Sequence, residues 1–133
     1  MFMDIAKTVS KRSSCPKKQV GAVLVKDNRI IATGYNGVLP GDKPKEGYNP
    51  KTNETKTVHA EANIISFCAK EGISTNGCTM YITLSPCEKC AELIIQSGIK
   101  KIIFFEKYRC DNGLSKLFKH KVEYHHYESM FVI

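Results

Sequence analysis

The sequence lacks tryptophan, internal repeats, low-complexity segments and any apolar run long enough to cross a membrane. Apolar stretches such as residues 102–105 have the length of a strand, whereas a membrane-spanning helix needs about 18 residues. The first residues carry an acid at Asp4 and no apolar stretch, so a secretory signal is not predicted. For a chain of 133 residues we expect one domain, residues 1–133, and the membrane-spanning, secreted and fibrous classes are excluded.

Acidic residues are the scarcer charged type, with 13 Asp and Glu against 20 Lys and Arg and a net charge of +7. Such a balance favours an anionic partner, either nucleic acid, a nucleotide or phosphate, and an excess that only aids solubility is the alternative. Six cysteines without a secretory signal favour metal or redox chemistry in a reducing compartment over a disulfide framework. We therefore expect a cytoplasmic location, which is the host cytoplasm if the chain comes from a phage or virus.

Hydrophobic periodicity divides the chain into helices and strands. Apolar residues at helical spacing predict a helix within the first dozen residues, and residues 20–25 and 30–33 predict a hairpin. A loop without periodicity follows at residues 38–57. Further patterns predict helices at 59–70, 88–96 and 112–117 and strands at 79–84, 101–105 and 122–127. This order predicts an α/β fold with one sheet and helices packed on its faces.

Two short motifs contain residues suited to metal binding, and each lies at the start of a predicted helix. The first is His59-Ala60-Glu61, and the second contains Cys87 and Cys90 at i and i+3, which places both thiols on one side of a helix. Zinc takes nitrogen and sulfur ligands tetrahedrally, and catalytic sites keep one position for water. One imidazole and two thiolates therefore predict a zinc site with an open position.

Glu61 distinguishes a catalytic site from a structural one. A structural zinc site has no use for a carboxylate two residues after its histidine, whereas hydrolysis needs a group that moves protons. Cys-x-x-Cys alone also fits a redox pair or half of a structural site, and His-x-Glu alone is close to chance. Together the two motifs match the His-x-Glu and Pro-Cys-x-x-Cys signature of zinc deaminases.

The chain resembles the cytidine deaminase-like superfamily and, within it, the deoxycytidylate (dCMP) deaminase family. The similarity runs from residue 12 to residue 113 and includes Arg-Ser-Ser-Cys at 12–15, Gln-Val-Gly-Ala-Val at 19–23 and Gly-Tyr-Asn-Gly at 34–37. The long passage before the His-x-Glu motif is typical of the same family. The resemblance implies a three-layer α/β/α sandwich with a single mixed sheet of about five strands and helices on both faces.

The resemblance also implies a role for each site residue. His59, Cys87 and Cys90 would bind one zinc ion, and Glu61 would protonate N3 of cytosine and then the departing ammonia, while water activated by the metal attacks C4. Asn36 would bond to the sugar, and the backbone around Ser85 would contact the amino group of the base. The remaining substrate-binding residues would be Tyr108 in the wall of the base pocket, together with Ala60 and Pro86.

A mononucleotide substrate also needs a cation for its 5′-phosphate. Lys70 lies 11 residues after His59, which places it within about 20° of the same helical face and about 16 Å along the axis. A solvated helix face is the alternative for Lys70, and Arg12, Lys18 and Arg109 are weaker candidates for the same role. Many family members assemble as hexamers or dimers and bind the effectors dCTP and dTTP near the Gly-Tyr-Asn-Gly turn, which makes Gly34, Tyr35 and Gly37 candidate effector contacts.

The leading hypothesis is thus zinc-dependent deamination of dCMP to dUMP, which supplies thymidylate synthesis. It implies a small nucleotide substrate, a homo-oligomer, and neither a membrane nor a nucleic-acid partner. One alternative is a deaminase of another substrate, such as adenosine in tRNA or free cytidine. The other is a non-catalytic accessory protein of DNA uptake with the same fold, and the intact Glu61 argues against it.

Overall fold

A five-stranded mixed sheet is the centre of the computed structural model, which describes residues 1–52 and 54–131. The large sheet is formed by β1 (Gly21–Lys26), β2 (Arg29–Tyr35), β5 (Thr79–Leu84), β6 (Lys101–Glu106) and β7 (Glu123–His126) in the order β2-β1-β5-β6-β7. β1 runs antiparallel to β2 and β5, while β5, β6 and β7 are parallel. The predicted single mixed sheet of about five strands is confirmed.

Helices cover both faces of this sheet. They are α1 (Phe2–Ser10), α2 (Ala60–Glu71), α3 (Glu88–Gln96) and α4 (Asn112–Lys119). One face packs α2, α3 and α4 in a core that includes Leu24, Met80 and Ile102, which are paired across three neighbouring strands and fully buried. The other face packs α1 against Val23 and Ile103. Because neighbouring residues of a strand face opposite sides, both faces of β1 are apolar, and the predicted three-layer arrangement is confirmed.

The loop predicted at residues 38–57 contains short elements that the sequence did not indicate. A single 3-10 turn forms at Pro44–Gly47, and β3 (Tyr48–Asn49) pairs with β4 (Glu54–Thr55) as a small hairpin. Elements of two to four residues are too short for hydrophobic periodicity to show. Residue 53 of this loop lies outside the described residues, and a second 3-10 turn, Tyr127–Phe131, replaces the end of the last predicted strand.

None of the helices within residues 1–52 and 54–131 has the length and apolar character that crossing a membrane requires.

Helix α1 lies so close to β1 that only glycine fits at the first position of that strand. A Cβ at Gly21 would overlap backbone atoms of Ala6 and Ser10. We expect Gly21→Ala to lower the free energy of unfolding by about 1–3 kcal/mol, because the backbone of α1 has to move away. Urea denaturation measures the loss.

The control for this prediction is Gly37→Ala. A Cβ at Gly37 meets only the Tyr35 ring, at 3.6 Å, which is an ordinary contact. An equal loss of stability in the two variants would show that α1 does not pack closely on β1.

Candidate metal centre and active site

The candidate site is formed where the N-termini of α2 and α3 meet. His59 and Cys87 are the N-cap residues of these helices, and neither side chain makes a capping hydrogen bond. Both side chains are thus free to face the space between the two helix ends. Cys90, three residues after Cys87, projects from the first turn of α3 into the same space.

The predicted ligands come together with the spacing that zinc requires. The Nδ1 atom of His59 lies 3.5 Å from Sγ of Cys87 and 3.3 Å from Sγ of Cys90. A tetrahedral ion with Zn–N and Zn–S bonds of ordinary length places such atoms about 3.5 Å apart. Within the described part of the chain, these three residues are the group whose ligand atoms all lie within 4.8 Å of one another. The donor set and its spacing therefore fit zinc with one open position.

The protonation of the two thiols differs sharply. Hydrogen bonds from Cys90 and His59 hold the pKa of the Cys87 thiol at about 3, so this group is a thiolate. The bond to Cys87 and burial raise the pKa of Cys90, and the bond to Cys87 raises that of His59. A metal cation displaces protons from thiol and imidazole ligands. Cys90 and His59 are therefore the groups that would release protons when a divalent ion binds.

Glu61 lies in the first turn of α2, beside the ligands but not among them. Its side chain is buried, with 4% of its surface exposed. Burial raises the pKa of the Glu61 carboxyl to about 7, although a backbone hydrogen bond and, to a smaller extent, the charge of His59 oppose this effect. A carboxyl that titrates near neutrality is suited to accept a proton and to return it.

A cavity of about 200 Å³ opens beside these groups. His59, Glu61 and Cys87 line it together with four of the predicted substrate-binding residues, which are Asn36, Ala60, Ser85 and Tyr108. Side chains suited to metal binding, a buried carboxyl and a small, partly open volume are thus combined in one place.

Asn36 joins the end of β2 to the loop that precedes β1. Its Oδ1 accepts a hydrogen bond from the N–H of Val20 at 2.9 Å, and its Nδ2 donates to the carbonyl of Lys18 at 2.7 Å. An amide nitrogen carries two N–H groups, so one donor of Asn36 is not used by this pair of bonds.

Ser85 and Tyr108 connect the ends of two parallel strands. The hydroxyl of Ser85 accepts the backbone N–H of Tyr108 at 2.7 Å, and the N–H of Ser85 donates to the carbonyl of Glu106 at 2.9 Å. Pro86 is fully buried and is not among the cavity-lining residues. Its carbonyl lies against Gly113, where α4 approaches so closely that a Cβ would not fit.

The structure does not bring Lys70 to the cavity. Lys70 lies exposed in the last turn of α2. Its predicted angular position is close to that of His59, but the rise of the helix carries Lys70 along the axis and away from the cavity. The lysines that line the cavity are Lys17 and Lys18, of which the sequence suggested only Lys18, as a weaker candidate. Cys15 and Thr57 also line it without having been predicted. The polar run around Pro16 is the feature of the sequence that could have indicated Cys15 and Lys17, but no periodicity relates this run to the metal-binding motifs.

The Gly-Tyr-Asn-Gly turn is held by contacts within the protein. Gly34 faces α2 so closely that a Cβ would meet Ile64, and the carbonyl of Tyr35 accepts a 2.6 Å bond from Asn63. Gly37 pairs with Val58 through two backbone hydrogen bonds. These contacts position Asn36, and they give Gly34 a role in packing and Gly37 a role in backbone pairing.

Comparison with known proteins places this geometry in a family. Residues 1–106 match the model of the cytidine and deoxycytidylate deaminase zinc-binding region. The chain is 39% identical to ComE operon protein 2 of Bacillus subtilis (strain 168), over 89% of this chain and 64% of that protein. It is 37% identical to the deoxycytidylate deaminase of Enterobacteria phage T2, over 80% of this chain and 78% of that enzyme.

A solved structure gives the same result. The dCMP deaminase of cyanophage S-TIM5, crystallised with dCMP and dUMP, superposes with a TM-score of 0.86 and is 32% identical, over 94% of this chain and 93% of that one. The match to the family model, the fold and the spacing of His59, Cys87 and Cys90 agree with one another. The chain belongs to the zinc-binding cytidine and deoxycytidylate deaminase family.

Proposed function

We propose that this protein is a zinc-dependent deoxycytidylate deaminase, which converts dCMP and water to dUMP and ammonia. The observation that carries the proposal is that Glu61 lines a small cavity together with His59 and Cys87, two members of the His59, Cys87 and Cys90 metal site. Deoxycytidylate deaminases among its relatives, including the phage T2 enzyme, support dCMP as the substrate. A non-catalytic protein would have no need of a buried carboxyl beside its metal ligands.

The residues of this chain divide the chemistry between them. When bound to His59, Cys87 and Cys90, zinc supplies a Lewis acid that lowers the pKa of water toward about 7. Glu61 would accept one proton from the attacking water and deliver it to N3 of the base, and would then transfer the second proton of the same oxygen to the leaving amino group. Proton transfer by a positioned carboxyl contributes about 10²- to 10⁴-fold to such reactions.

The remaining cavity residues bind and orient the nucleotide. The N–H of Asn36 that is not used by the loop donates to a sugar hydroxyl, and Tyr108 packs against the base. Ala60 and the backbone at Ser85 lie beside the reacting amino group. The Ser85–Tyr108 hydrogen bond fixes this wall of the cavity relative to Cys87.

Ammonia release from a substrate panel tests the proposal. We expect turnover of dCMP well above that of deoxycytidine, CMP, dCTP and a tRNA hairpin, each measured with and without dCTP or dTTP as effector. Activity on the hairpin alone would assign the chain to the polynucleotide deaminases and would refute the proposal. A response to dCTP or dTTP would support the effector contacts at Gly34, Tyr35 and Gly37.

We also propose that the enzyme is a cytoplasmic homo-oligomer. All six cysteines are free thiols, which suits a reducing compartment. The three helices on one face of the sheet each expose a large apolar side chain, namely Phe67 on α2, Leu93 on α3 and Phe118 on α4. Sedimentation equilibrium distinguishes a hexamer or dimer from a monomer.

A further inference from the structure

We propose that Asn63 is a positioning residue, which fixes the sugar-binding side of the cavity relative to the metal site. The inference rests on the proposed function, because it concerns how the same substrate is held. Asn63 lies one turn after His59 in α2, and its backbone N–H donates to the carbonyl of His59 at 2.9 Å. Asn63 is not among the residues that line the cavity, so it acts through residues that do.

The side-chain amide of Asn63 joins two segments of the active site. Its Nδ2 atom lies 2.6 Å from the carbonyl oxygen of Tyr35 and 3.5 Å from that of Val58. Tyr35 directly precedes Asn36, which is the proposed sugar contact. Val58 directly precedes the metal ligand His59. Since an amide nitrogen carries two N–H groups, one is available for each carbonyl, and a single side chain connects the two segments.

Backbone hydrogen bonds join the same two segments on the other side of Asn36. Gly37, the next residue, donates to the carbonyl of Val58 at 3.1 Å and accepts the N–H of Val58 at 2.7 Å. Asn36 itself is buried, and its amide is bonded at both ends to the loop before β1. The N–H of Asn36 that remains for the sugar therefore has one direction, which is set by the backbone on either side of this residue.

Helix α2 and the end of β2 are in direct contact next to this bond. At Gly34 a Cβ would lie 2.7 Å from Cγ1 of Ile64 and 3.0 Å from the carbonyl oxygen of Ala60. The amide of Asn63 spans the contact one residue further along β2. A base at the metal and a sugar contact at Asn36 must fit one nucleotide, and a misplacement of about 1 Å can cost about 10²-fold in rate.

Two substrates that differ in one hydroxyl test the role of Asn63. The free hydroxyl on the deoxyribose of dCMP is at C3′, and 2′,3′-dideoxycytidine 5′-monophosphate lacks it. We expect Asn63→Ala to lower kcat/KM for dCMP about 10- to 100-fold, mainly through KM, because the sugar contact is misplaced. The dideoxy substrate makes no such contact, so its kcat/KM should stay within about twofold of the parental value. Asn63→Gln, which keeps the amide on a longer side chain, should recover part of the dCMP activity.

Further variants separate positioning from a loss of stability. Asn112→Ala removes an exposed asparagine in the first turn of α4, outside the cavity, and should change neither substrate. Asn36→Ala removes the sugar contact itself and should give the same selective loss as Asn63→Ala. The two changes combined should cost little more than either alone, because both act through one contact. If Asn63→Ala does not fold, Asn63→Asp, which keeps the shape of the side chain without its donors, takes its place in every comparison.

Binding of the product gives a readout that does not depend on turnover. Isothermal titration calorimetry of the zinc-loaded protein should show weaker dUMP binding by Asn63→Ala and unchanged binding of 2′,3′-dideoxyuridine 5′-monophosphate. An equal effect on both substrates and both products, or no effect on any of them, would overturn the assignment of Asn63. A parent enzyme that deaminates neither substrate would instead contradict the proposed function, and the two binding measurements would still decide the role of Asn63.

Discussion

Glu61→Gln is expected to reduce the turnover of dCMP by about 10²- to 10⁴-fold while zinc remains bound. Glutamine keeps the shape of the buried side chain but neither accepts nor returns the proton that the reaction needs. Because Glu61 is not one of the three ligands, the metal content should be unchanged. Ammonia release at saturating dCMP measures the loss, and elemental analysis measures the zinc.

Glu71→Gln is the matched control for this prediction. Glu71 lies at the other end of the same helix, is exposed and is outside the cavity, so its variant should keep full activity. If Glu61→Gln retained more than a tenth of the parental rate with its zinc in place, Glu61 would not be the proton carrier.

Cys87→Ser is expected to remove most of the zinc and to destabilise the protein. The Cys87 thiolate is replaced by a neutral hydroxyl, which is a poor ligand for this ion. An ion that binds only the folded state at about 1,000 times its dissociation constant adds about 4 kcal/mol of stability, and the variant loses this contribution. Zinc content and thermal unfolding, with and without a chelator, give the two measurements.

Cys110→Ser controls for the general effect of removing a thiol. Cys110 is exposed and is not part of the metal group, so its variant should bind zinc and respond to the chelator as the parent does. A Cys87→Ser protein that kept one zinc per chain and the parental unfolding temperature would show that Cys87 is not a ligand.

The sequence predicts most of this fold because its signals are local. The strand at Thr79–Leu84 and the helix at Glu88–Gln96 were predicted with the observed bounds. Gly72, in the left-handed conformation, ends α2 close to the end of the predicted helix at residue 70. The metal site was predictable for the same reason, since the spacing within each motif and the chemistry of Glu61 indicate zinc without any tertiary information.

The place of Lys17 in the cavity wall could not be predicted in this way. The prediction for Lys70 used the angular position on the helix, but the axial rise of α2 carries this residue away from the cavity. The position of Lys17 depends instead on bonds between Asn36 and a loop 16 to 18 residues away. Bonds between a side chain and a distant backbone leave no periodic pattern in a sequence.

The close packing of α1 on β1 has a consequence for the active-site cavity. The loop of residues 13–19 starts just after α1 ends, so this helix anchors one end of a loop that the Asn36 bonds hold at the other. Met3 and Ala6, which belong to α1 and are buried against the face of the sheet away from the metal site, therefore support the loop that contributes Cys15, Lys17 and Lys18 to the cavity. Substitutions at Met3 or Ala6 are expected to weaken substrate binding before they affect the retention of zinc.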